Sequence, residues 1–100
     1  MQLMSKPRKR WWGYVRRVLY DYPRMRPATE QREKAAVESA LAETEKLPDG
    51  DARLRLVRAV FFAQTHTLQG AAMREHMSYN SAQRRLSQFI MLAGEKLGLP

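Results

Sequence analysis

The stretch Thr67–Leu86, TLQGAAMREHMSYNSAQRRL, decides how the chain is read. Its first half is a short run of helix formers in which Ala71 and Ala72 carry almost no side chain. Small residues there let a second helix cross closely. Met77 is an apolar residue placed to plug a turn, and Ser78 after it is a strong helix N-cap. From Tyr79 to about Leu97 the residues Ala82, Leu86, Phe89, Ala93 and Leu97 recur at helical intervals and form one continuous inward stripe. The opposite face near the helix start carries Asn80, Ser81, Arg84, Ser87 and Gln88, with Gln83 and Arg85 at its flanks. The expected unit is a helix-turn-helix over about 67–97 whose second helix has an apolar back and a polar front.

Upstream, DARLRLVRAVFFAQ reads as a helix that Asp51 can cap, with Leu54, Val57, Val60 and Phe61 inward and Leu56 at the margin. LPDGD before it is a turn. An Ala-rich helix runs from a Thr29 cap to about Lys46, with Ala36, Val37, Ala40, Leu41 and Leu47 facing inward. Its early acids Glu30 and Glu33 suit the positive end of the helix dipole. WWGYVRRVLYDYP places Trp11, Val15, Val18 and Tyr22 on one face, stopped by Pro23. Residues 1–10 have no apolar periodicity and read as a flexible basic arm, leaving 11–100 as a single helical domain. No segment alternates with period two and nothing repeats. The fold expected is therefore all-α, with four to five helices and short connections.

The charge is arranged, not spread. The net charge is +8, yet the bases Lys6, Arg8, Lys9, Arg10, Arg16, Arg17, Arg24 and Arg26 face only Asp21 in the first segment. Residues 28–51 are net acidic, and residues 52–100 are net basic again. A basic chain with a pI near 10.5 points to a polyanionic partner. There are no cysteines, which excludes disulfides, thiolate metal sites and thiol nucleophiles and fits a reducing compartment. No apolar run approaches the roughly 17 residues of a membrane span, and the basic N-terminus lacks a secretory h-region.

A helix-turn-helix offers the outer N-terminal face of its second helix to the DNA major groove. Asn and Gln can bond adenine bidentately, and Arg can do so with guanine. Asn80, Ser81, Gln83 and Arg84 are thus the expected base-reading residues. Ser78 with the first-turn N–H groups, Arg85, Ser87 and the arm residues Lys6, Arg8, Lys9 and Arg10 are expected on the backbone phosphates. The acidic middle helix is expected to face away from DNA, available to RNA polymerase or to a second copy of the chain.

At Ala71-Ala72, Met77-Ser78 and Ser81 the stretch is similar, without gaps, to the helix-turn-helix of sigma-factor region 4. WWGYVRRVLYDYP and QFIMLAGEKLGL extend the likeness, from about Trp11 to Leu99, to small phage late transcription regulators of the RinA/ArpU kind. That resemblance implies a sigma-region-4-like domain and a DNA-binding activator of phage or prophage late genes, working in the bacterial host cytoplasm. One departure concerns His76, which stands where the turn often has Gly. A positive φ there is tolerated by His less well than by Gly.

Other constellations carry less. Trp11 and Trp12 could stack on bases or anchor at a membrane interface, but large aromatics in a small domain usually close its core. Phe61, Phe62 and Met73 also read as core, with Phe62 off the main stripe and open to a partner. His66 and His76 lack a third ligand for zinc, and Asp49 and Asp51 lack the rest of a calcium loop. Ser78 and Ser81 have no evident base, and no phosphate loop is present. No enzyme, cofactor or metal is therefore expected. Two other classes fit a basic helical domain: a small terminase subunit for DNA packaging, and a polymerase-binding module without DNA.

Overall fold

The computed structural model describes residues 9–100, and Lys6, Arg8 and the rest of the expected arm before Lys9 lie outside the described residues. Among the described residues every regular element is a helix. Helix α1 spans Trp12–Asp21 and leads through a 3₁₀ turn, Tyr22–Arg24, to α2 at Pro27–Glu45. Helix α3, Gly50–Val57, continues into a π-helical segment, Arg58–Phe62. Helix α4, Leu68–Arg74, and helix α5, Tyr79–Lys96, complete the domain.

The long helix α5 is the spine. Its stripe of Ala82, Leu86, Phe89, Ala93 and Leu97 is buried, joined by Ile90. Against it pack Val15, Val18 and Leu19 of α1, Ala36, Val37 and Ala40 of α2, and Val57 and Phe61. A second, smaller cluster gathers Leu56, Ala59, Ala71, Ala72 and Ala82, with Met77 packed against it. Those alanines are what let α4 lie close on α5, as small residues at a helix crossing do. Trp11 and Trp12, stacked with ring centroids 6.2 Å apart, close the core beside α5.

Several details differ from the sequence expectation, each for a local reason. Helix α2 starts at Pro27, whose missing N–H costs nothing at a first helical position. Thr29 is therefore not its cap. Glu30 is non-helical inside the first turns, and its Oε1 instead accepts from the Arg26 backbone N–H at 3.0 Å. Asp51 does not cap α3, which begins one residue earlier at Gly50. A Cβ at Gly50 would lie 2.5 Å from the Glu45 carbonyl oxygen and 2.6 Å from that of Thr44. Only glycine lets α3 start so tightly against the end of α2. Leu47 is 41% exposed and Met73 70% exposed, so neither belongs to the core.

The third helix does not run unbroken. The Ala63 N–H donates to the Arg58 carbonyl at 2.7 Å, a bond five residues back, which inserts one wide turn. That turn rotates the following side chains. Leu56, Val57, Ala59 and Phe61 are all buried, a set no single 3.6-period stripe contains. Phe62 is half-buried, with its ring 4.9 Å from that of Tyr22.

A candidate nucleic-acid interface on helix α5

Four residues, Glu75–Ser78, join α4 to α5. The turn is closed by two bonds of a Schellman motif: Met77 N–H to the Ala72 carbonyl at 3.0 Å and His76 N–H to that of Met73 at 3.1 Å. His76 sits at the left-handed position with φ 57°, the backbone region the sequence flagged as glycine's. Ser78 then starts α5, its Oγ accepting from the Ser81 N–H at 3.1 Å. Thr67 does the same for α4, accepting from Gly70 N–H at 3.1 Å.

With the apolar stripe fixed inward, the helical period sets the rest. Asn80, Gln83 and Arg84 are exposed in the first two turns of α5, Ser78 is exposed at its cap, and Ser81 and Ser87 are half-buried. Among the described residues no side chain hydrogen-bonds or ion-pairs with Asn80, Gln83 or Arg84. Two turns of helix are about 11 Å long, close to the width of a B-DNA major groove, roughly 12 Å. Tyr79, 48% exposed, stands beside them at the helix start.

Arg85 is placed differently. Its Nε donates to Asp49 Oδ2 at 2.6 Å, while Asp49 Oδ1 accepts from Arg53 Nε at 2.7 Å. Arg53 reaches on to the Gln88 Oε1 at 2.7 Å. Asp49 therefore clamps the start of α3 to the flank of α5. The two guanidiniums, Arg85 first, hold its carboxyl down to about pKa 2. Arg85, expected on phosphate, spends its Nε–H inside the fold. Sequence reading missed this clamp because its partners are separated by the whole of α3 and α4.

The described part of the arm roots at the far end of α5. Lys9 Nζ donates to the Pro100 carbonyl at 3.3 Å, and Arg10 is exposed. Trp11, next in the chain, lies against Gly94. From Gly94 back to Asn80 the helix rises about 21 Å, so Lys9 and Arg10 stand well away from the residues expected to read bases.

The acids of α2 are largely engaged within the domain. Glu33 accepts from the Tyr14 hydroxyl, Glu38 from Tyr22 at 3.2 Å and from Lys34 at 3.4 Å, and Glu43 pairs with Lys96. The hydrogen bond to Glu33 raises the Tyr14 pKa, and burial followed by Glu38 raises that of Tyr22. The charge contrast seen in the sequence is thus partly an internal one, with α2 tied to α1 and α5. Arg32 completes the tie by donating to the Leu97 carbonyl at 2.8 Å, a cation at a helix C-terminus.

Among the described residues no group of three or more His, Cys, Asp or Glu side chains is placed to hold a metal ion, and no helix is long and apolar enough to cross a membrane. His66 Nδ1 lies 2.9 Å from Thr65 Oγ1, a local contact. No family model, no curated protein and no solved structure matches the chain.

Proposed function

We propose that this chain is a sequence-specific double-stranded-DNA-binding transcriptional regulator, a phage or prophage late-gene activator in kind. Helix α5 is the recognition helix and α4 the helix that braces it. The observation carrying this reading is the face of α5 formed by Asn80, Gln83 and Arg84. It is exposed at the capped end of a helix whose opposite side is core. An amide and a guanidinium on a rigid helix match the edges of adenine and guanine, and each good bidentate pair discriminates by about 1–3 kcal/mol.

The proposal divides the labour among these residues. Asn80, Gln83 and Arg84 meet base edges, assisted by Ser81. Ser78 and the free N–H groups of the first turn meet a phosphate. Lys9 and Arg10, displaced along α5, meet the backbone further along the duplex or enter the adjoining minor groove.

Selection of bound fragments from a random duplex pool tests the reading. Enrichment of one motif is expected, with affinity falling at a log–log salt slope near −4 to −5 if roughly five phosphates are neutralised. A pool that stays random after repeated rounds would remove the proposal.

A further inference from the structure

A second basic site lies off helix α5, in a groove of about 200 Å³ between the π-helical segment and α4. Its floor is Ala59, Ala63 and Ala71, side chains too small to fill it. Arg55, Arg58 and Arg74 also line it, with Thr65 and Glu75. Two adjoining elements and a third meet here: Arg55 is in α3, Arg58 follows three residues later at the start of the π turn, and Arg74 ends α4. The wide π turn places Ala59 and Ala63 at the groove.

The single carboxylate present does not neutralise the site. Glu75 is bound to Arg55 Nε at 2.9 Å and its side chain is only 10% exposed. Arg55 remains 54% exposed, so its other N–H groups stay available. Arg58 and Arg74 are exposed, and among the described residues no carboxylate lies within ion-pair distance of either. Guanidiniums present donors in a planar fork that matches phosphate oxygens. A cleft of about 200 Å³ lined by three alanines and three arginines has room for a tetrahedral anion.

From this geometry we infer that the Arg55–Arg58–Arg74 groove is a binding site for a nucleic-acid backbone phosphate, giving the protein a second anchor on the duplex beside the recognition helix. The inference rests on the reading of α5 as a DNA-binding helix. Arg74 ends α4, four residues ahead of the Ser78 cap of α5, so one wall of the groove is close in the chain to the start of that helix.

The test is an Arg58→Gln/Arg74→Gln double variant, compared with an Arg17→Gln/Lys46→Gln control that removes the same charge from exposed positions elsewhere. Binding to one selected and one scrambled duplex is measured across a salt series. Each lost phosphate contact reduces the magnitude of the slope by about 0.9, so the double variant should lower it by up to about 2. The ratio of selected to scrambled affinity should be unchanged, and the control slope should stay near wild type. An unaltered slope, an equal drop in the control, or a collapsed ratio each overturns the inference. If the unmodified chain binds no duplex, the reading of α5 fails. Titration with inorganic phosphate then judges the groove separately. Saturable shifts of the Thr65 and Arg74 amides, lost in the double variant, support an anion site, and their absence rejects it.

Discussion

Asp49 and Arg85, in contact at 2.6 Å, join the turn before α3 to the flank of α5. The pair keeps Arg85 on one side of α5 and leaves the face of Asn80 and Arg84 clear. Because Asp49 also holds Arg53, removing its charge releases two guanidiniums at once. Asp49→Asn should destabilise the fold by about 1 kcal/mol, the modest scale of partly exposed ion pairs. The sign with pH follows from the carboxyl's folded pKa of about 2 against 3.8 in a free side chain. A depressed pKa gives stability that is complete above the free value and lost as the pH falls toward 2. Thermal melts should therefore show wild type and variant converging between pH 4 and pH 2. A gap that stays constant over that range would mean the clamp does not contribute through its charge.

Reading and anchoring should separate in binding experiments. Arg84→Ala removes a side chain that meets base edges in the proposed arrangement. It should flatten sequence preference at one or two base pairs, by about 1–3 kcal/mol against the wrong base. Deleting residues 1–10 should weaken binding to every duplex by a similar factor and lower the salt slope. Equal losses from both changes on all sequences would erase the distinction.

Much of this was legible in the sequence, for identifiable reasons. The α5 stripe, the Ser78 cap and the left-handed backbone at His76 are local, and local rules of period, capping and sterics read them directly. Trp11 and Trp12 closing the core followed from their size. The π turn at Arg58–Phe62 was not legible, since its cost is met by tertiary packing of Leu56, Ala59 and Phe61 that no local rule anticipates. The arginine groove follows from that turn and was missed with it. Met73 was misplaced because α4 is short and buries only Ala71 and Ala72. The Asp49 clamp depends on a contact across 36 positions, and a pattern of spacing contains no information about it.

Two glycines in helices should respond with opposite sign to the same change. Gly13 in α1 has nothing within 4 Å of an added Cβ, whereas a Cβ at Gly94 would lie 2.4 Å from the Trp11 ring. Alanine in place of glycine ordinarily strengthens a helix by up to about 1 kcal/mol. Gly13→Ala should accordingly raise Tm. At Gly94 the gain is opposed by overpacking, which costs about 1–3 kcal/mol. Gly94→Ala should lower Tm and shift tryptophan emission to the red as Trp11 is displaced. A rise in Tm with unchanged emission would show that Trp11 is not seated against α5.

The turn between α4 and α5 gives the last prediction, because its two ends carry different kinds of energy. Ser78 contributes through a bond to the Ser81 N–H, which alanine cannot make. Ser78→Ala should cost about 1 kcal/mol, and under the proposed function it should also weaken DNA binding, since the start of α5 frays. His76 contributes strain instead: at φ 57° its Cβ is crowded, and glycine there has no such penalty. His76→Gly should therefore be neutral or stabilising by up to about 1 kcal/mol, despite the larger chain entropy glycine brings to the unfolded state. Chemical denaturation of the two variants checks both signs together. A marked loss of stability in His76→Gly would mean that the imidazole holds the turn through contacts of its own.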